Sequence, residues 1–271
     1  MRLVAASLRR LRRRPASLVT LLLLIGLQAL ITLLIIVATR ATDDPQAALG
    51  SRMFLTFPNA YELIVQMLVS TASFLAVCYG AAIAGSEWGW GTLKAAVARG
   101  ESRVRYTLAN YAGVAVFTVL GLVLAFLASV AVTALGAAAT NVSLSGMTDA
   151  EALLRLPELF ARAWLGLALN AAVGFVIATV ARSQLAGIGA SIGLLFASGI
   201  AGVFAPHLVK WLPFSVSGAV LNGGDGGGVM VGATEMGVQL DSTTAIWVSL
   251  AWLVVALGVA ALYVDRSEIN G

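Results

Sequence analysis

Few side chains in this 271-residue sequence are equipped for chemistry, and their spacing excludes most reactions. There is one histidine, His207, so a two-histidine metal motif on a helix cannot exist. A serine–histidine–acid relay would have to use His207, which stands beside Pro206 with no nucleophile-elbow pattern around it. The single cysteine, Cys78, sits in an apolar run and reads as a small buried hydrophobe, since one thiol makes neither an intrachain disulfide nor a cysteine-based metal site. Lys94 and Lys210 follow Leu93 and Val209, so neither completes the Gly-Lys pair with which a nucleotide-binding loop holds phosphate. The glycine-rich run at 223–228 is centred on Asp225, carries no lysine and reads as a flexible loop. The chain is therefore expected to hold no catalytic centre, metal or cofactor of its own.

One stretch does combine charge, turn chemistry and an apolar stripe: residues 86–105, SEWGWGTLKAAVARGESRVR. Glu87 opens it, and Gly89 and Gly91 free the backbone to turn. Thr92 is a candidate cap for a short helix over 91–98. Leu93, Ala96 and Val97 form one apolar face, Gly100 ends the helix, and Ser102 is a candidate cap for the next long helix. Lys94, Arg99, Arg103 and Arg105 make the stretch basic. On the residues alone, this is either a short amphipathic helix awaiting a groove or a solvated basic loop, because short helices are marginal without a partner.

The elements that position this loop follow from composition. Hydrophobic residues make up 59% and charged residues 11%, against roughly 25% charged in soluble domains, so too few charges remain to clothe a water-facing surface. Six apolar stretches, at 18–38, 62–85, 106–134, 163–181, 185–204 and 245–264, each approach or exceed the roughly 20 residues needed to cross a bilayer. They must be helices, since lipid leaves no partner for unpaired backbone groups and period-2 alternation is missing. The expected fold is all-α: a single polytopic transmembrane domain over 1–271.

Residues 1–17 are basic and amphipathic, with Val4, Leu8 and Leu11 on one face, and read as an interfacial helix ended by Pro15; the alternative is a disordered basic tail. The first apolar stretch exceeds the roughly 7–15 residues of a signal-peptide core and is read as a retained span. With both termini cytoplasmic, the tail, the 86–105 loop, the Arg182 turn and the C-terminus hold most of the 17 basic residues. The positive charge is thus assigned to membrane orientation and lipid contact, with no nucleic acid as partner. Arginine far outnumbers lysine, which suggests a high-GC bacterial genome and a bacterial cell membrane.

No charged residue falls clearly inside a span. Gln28, Gln66 and Asn170 are neutral candidates for interhelical hydrogen bonds, and Glu62 lies at a span edge. Gly189 and Gly193 form a GxxxG pattern, read as packing within the bundle, with a dimer seam as the alternative. An acidic pair, Asp43–Asp44, comes after the first span, and the Pro213-Phe214 segment is a candidate re-entrant piece.

The Glu-x-x-x-Gly-Thr-Leu-Lys run from Glu87 to Lys94, followed by the basic Gly-x-Ser-Arg turn at 100–103, resembles the first cytoplasmic loop of ABC-2 type permeases, the membrane subunits of bacterial ABC exporters. The layout is similar too: an N-terminal elbow helix, six spans, a tight Arg182-Ser183 turn and a long outer segment before the last span. The Trp88-Gly89-Trp90 filling is more aromatic than the family pattern. The resemblance implies a separate ATPase subunit that binds ATP and magnesium, and a second copy of this chain or a homologous permease. It also implies that 91–98 is the coupling helix, with Glu87, Gly91, Thr92, Leu93, Lys94, Ala96, Val97, Arg99 and Arg103 at the ATPase contact. The cargo would be apolar or amphipathic, and exported. An ion-coupled secondary transporter or a channel is the competing expectation.

Overall fold

The computed structural model describes residues 2–41, 50, 52–222 and 240–267. The Asp43–Asp44 pair, the 223–228 glycine run and the side chain of Val4 lie outside the described residues. Among the described residues there is no strand, and six helices are long and apolar enough to cross a membrane.

The first basic stretch is helix α1 (Arg2–Arg13), and Pro15 starts α2 (Pro15–Ala41). Proline lacks an amide hydrogen and so cannot continue α1, but it is accommodated in the first turn of a new helix. Leu11 is buried and Leu8 half-buried, and α1 lies along the start of α5 (Arg103–Ala139), where Ser7 donates to Asn110 at 3.0 Å. Gly113 makes room for this approach, since a side chain there would meet Ser7 and Leu11.

The centre of the bundle is α3 (Asn59–Gly89) packed along α6 (Ala150–Ala181), the most extensive helix pair among the described residues. They run in the same direction. The Tyr61 hydroxyl near the start of α3 donates to the Met147 carbonyl just ahead of α6, and Gly85 near the end of α3 abuts Ser183 and Gln184 just after it. Backbone meets backbone at their crossing. A Cβ on Gly80 would overlap the Ala171 carbonyl oxygen, and one on Gly174 would overlap that of Val77. Close approach of this kind gains dispersion contacts that lipid cannot supply.

α6 differs from expectation. The expected span at 163–181 is only the second part of one continuous helix that begins at Ala150 and passes through Pro157. Asp149 caps it by accepting from the Ala152 amide at 3.0 Å, and pairs at i, i+4 spacing, Glu151–Arg155 and Glu158–Arg162, support the first turns.

The bundle is completed by α7 (Gln184–Phe204), α8 (Pro206–Val209), α9 (Pro213–Asn222) and α10 (Ser242–Arg266). α9 spans about 15 Å, half a crossing, yet Val216 and Val220 are fully buried between α6 and α10. Gly166 of α6 admits it, because a Cβ there would sit 2.6 Å from the Ser217 carbonyl oxygen.

The expected role of Gly189 and Gly193 is corrected. Both lie on the exposed face of α7, with nothing within 4 Å of where a Cβ would stand, so they pack against no other described part of the chain. The α7 glycine that does seat the helix is Gly187, against Ala178. Two expected interhelical bonds are also absent. Gln66 donates to Glu62 on its own helix at 3.4 Å, and neither amide atom of Gln28 has a protein partner.

Candidate functional site

Five chain segments converge at the end of the bundle where α2 starts, α3 ends, α5 starts, α6 turns into α7 and α10 ends. Between the second and third of these sits α4 (Thr92–Ala98), the short helix expected at 91–98. Gly91 precedes it in the left-handed conformation, φ 64°, which costs a residue with a Cβ about 1–2 kcal/mol. Gly100 is also left-handed, φ 85°, and ends α4: its amide donates to the Val97 carbonyl at 2.9 Å, and the Glu101 amide reaches the Ala96 carbonyl at 3.2 Å. The two glycines thus bound the helix as the sequence suggests.

The capping threonine and serine behave differently. Thr92 is the first helical residue rather than the cap, and its hydroxyl donates to Glu87 Oε2 at 2.5 Å. Ser102 holds the cap position of α5, but its hydroxyl makes no capping bond.

Glu87 is the organising group. It sits in the last turn of α3, 5% exposed. Its Oε1 accepts from Arg14 Nη2 at 2.5 Å, and its Oε2 accepts from Thr92 and from the Tyr106 hydroxyl. Arg14 spends its other terminal nitrogen on Ser86 Oγ at 2.8 Å, and its guanidinium stacks 5.0 Å from the centre of the Trp90 ring. Arg10 donates to the Tyr106 hydroxyl at 2.7 Å. One buried carboxylate therefore ties the α1–α2 junction, the end of α3, the start of α4 and the start of α5. Ion pairs taken out of water are retained only where geometry and extra hydrogen bonds compensate desolvation, and removing one partner costs about 3–5 kcal/mol.

The apolar face of α4 has a groove made by its own chain. Leu93 and Ala96 are buried, 3% and 1% exposed, against Tyr106 of α5 and Val264 of α10, with Trp88 of α3 packed alongside. Only a cleft of about 10 Å³ remains beneath it. What faces outward is the opposite surface: Lys94, Ala95, Ala98 and Arg99, while Val97 is half-buried. Arg103 is drawn to the C-terminal end of the chain, donating to the Ser267 carbonyl at 2.7 Å.

A second anchor adjoins the first. Arg182, left-handed at φ 51° in the α6–α7 turn, donates to the Tyr263 hydroxyl at 3.0 Å and lies 5.0 Å from the centre of the Trp88 ring. Trp88, an unusual residue in the loop pattern, thus links the end of α3 to both the α4 groove and the α6–α7 turn.

No protein-family profile matches the sequence, and no curated protein matches it. The site is therefore read from its own geometry. Of the nine expected contact residues, the fold brings Glu87, Thr92, Leu93 and Ala96 into one interlocked unit and leaves Lys94 and Arg99 on its outside. Sequence reasoning missed Arg14, Tyr106, Arg10 and Tyr263. A signal existed for Arg14, the last residue before Pro15 and hence fixed at a helix junction. Among the described residues no cluster of His, Cys, Asp or Glu could hold a metal. Through Thr92, Leu93 and Ala96, α4 is joined directly to the ends of α3, α5 and α10.

Proposed function

We propose that this chain is the membrane-spanning permease subunit of an ATP-binding cassette exporter of the ABC-2 type. In this reading α1 is the elbow helix at the cytoplasmic face, and α4 is the coupling helix. ATP and magnesium are bound and used in a separate ATPase subunit. The cargo is apolar or amphipathic and leaves the bacterial cell membrane through a pair of permeases, two copies of this chain or this chain with a homologue.

The observation that carries the reading is the Glu87 junction. A loop obeying only the positive-inside rule has no need of a buried carboxylate bonded to three other elements. A force-transmitting loop does, because displacement of α4 must reach the spans without being lost in a flexible turn. The inward seating of Leu93 and Ala96 refines the expected contact: the partner meets Lys94, Ala95, Ala98 and Arg99, and Leu93 and Ala96 hold the helix to the bundle. An ion-coupled transporter needs ionisable groups at mid-depth. Among the described residues the only buried charged side chains are Arg14 and Glu87, paired with each other at the bundle end.

The test is co-expression with an ATPase encoded in a neighbouring reading frame, purification through a tag on this chain, and measurement of ATP hydrolysis. The permease reading expects the ATPase to be recovered with the chain, and Lys94→Glu with Arg99→Glu to release or uncouple it. Failure to recover any ATPase, together with ion-driven flux from the chain alone, supports the secondary-transporter reading instead.

A further inference from the structure

The buried face of α2 is largely polar and its exposed face is leucine. Ser17, Gln28, Thr32 and Thr39 point inward, while Leu22, Leu23, Leu27 and Leu30 are exposed. Most of the inward groups are satisfied at once. Ser17 shares a 2.9 Å hydrogen bond with the Tyr79 hydroxyl, Thr32 donates to the Gln28 carbonyl at 3.0 Å, and Thr39 donates to the Ile35 carbonyl at 2.7 Å.

Gln28 is the exception. It is the middle residue of α2, about 20 Å from either end at the rise of an α-helix. It is 1% exposed, and both Oε1 and Nε2 are buried without a protein partner. A buried amide in this condition is costly, and each such group calls for an explanation. Exchanging the amide oxygen and nitrogen does not supply one, since both atoms lack partners.

The side chain lines a cleft at the seam of α2, α3 and α5. Thr32 and Thr133 add hydroxyls, and Ile64, Met67 and Phe54 supply apolar walls. The free volume is about 10 Å³. That is the lower limit for one water molecule, which needs in addition two to four polar partners.

We propose that Gln28 binds a single structural water in this cleft, accepting through Oε1 and donating through Nε2. The Thr32 hydroxyl has committed its hydrogen to the Gln28 carbonyl, so its oxygen is a further acceptor, and Thr133 of α5 also lines the cleft. A metal cation is the wrong occupant: hard cations gather six or more oxygen ligands, usually with a carboxylate, and this cleft offers none while presenting an amide donor. Any organic ligand exceeds the volume. The site stands on packing alone and is independent of the permease reading.

X-ray radiolytic hydroxyl-radical labelling of the full chain in lipid nanodiscs, in which the beam splits water where it is bound, resolved by residue with mass spectrometry, tests the site. Radicals formed from a bound water oxidise the side chains beside it, and Met67 is an oxidisable wall of the cleft. The expected result is that Met67 is oxidised at a rate within about tenfold of Met53, whose side chain is exposed, and that Gln28→Leu lowers the Met67 rate by about fivefold or more without changing Met53. A wild-type Met67 rate further below Met53 than that overturns the proposal, and so does a Met67 rate unmoved by Gln28→Leu. Met67 is half-buried and can also be reached from outside the cleft, so the fall in its rate on substitution carries the support; should Gln28→Leu fail to fold, Thr32→Val supplies the same comparison.

Discussion

Glycines at the α3–α6 crossing and glycines on α7 look alike in the sequence and do opposite things in the fold. Gly80 and Gly174 let two backbones touch in the centre of the bundle, whereas Gly189 and Gly193, the pair with the recognisable helix-packing spacing, face outward with nothing near them. The spacing of small residues says that a helix can be approached closely. It does not say from which side, or whether the approaching helix belongs to the same chain. α7 keeps its small-residue face open, while α3 and α6 have used theirs.

The largest effects should separate these two regions. Gly80→Leu or Gly174→Leu forces a side chain into the opposing backbone, and overpacking of that kind costs about 3 kcal/mol or more. Such variants should fail to give a monodisperse species after detergent extraction. Gly189→Leu should leave the melting temperature of the monomer nearly unchanged, within about 0.5 kcal/mol. Equal tolerance at Gly80 and Gly189 would break the comparison. If Gly189→Leu leaves the monomer intact but abolishes a dimer in chemical cross-linking, the comparison sharpens, because the open face then belongs to a second copy.

Next in size is the carboxylate junction. Glu87→Ala leaves Arg14 buried and unpaired, and should destabilise the chain by about 3–5 kcal/mol. The double variant with Arg14→Met should cost less than the sum of the two single changes, which a thermal-melt double-mutant cycle would measure. Additive costs would mean that the pair is not coupled. A smaller effect is expected at the turn: Gly91→Ala meets a left-handed backbone and should cost about 1 kcal/mol. It should loosen α4 without unfolding α3 and α5, seen as faster amide exchange confined to 92–98.

How much of this was legible in the sequence depends on whether a feature is local. The six long helices follow from apolar length, and each observed helix contains the whole of its expected stretch. The bounding glycines of α4 were legible for the same reason, since a left-handed turn is a property of one residue. Four things were not. α6 runs straight through Pro157, because an N-cap at Asp149 and two ion pairs support the turns that proline weakens. α9 falls where the sequence offers only a candidate re-entrant piece at Pro213-Phe214, and Gly166 on a distant helix makes room for its burial. The apolar face of α4 was legible as a face in need of a groove, but the groove is assembled from Trp88, Tyr106 and Val264, which no local pattern brings together. The partners of Glu87 were hidden likewise: Arg14 and Tyr106 lie far from it along the chain and meet it only when α1, α3 and α5 are packed.

The central claim is that a partner ATPase meets the outward face of α4 while the inward face is held by the bundle. Site-specific photo-cross-linking compares the two directly, with the photoreactive side chain introduced in place of Ala98, which is exposed, or of Ala96, which is 1% exposed, in membranes containing the co-expressed ATPase. The account predicts a cross-link to the ATPase from position 98 and, from position 96, only adducts within the chain. An ATPase cross-link from position 96 and none from 98 would contradict it.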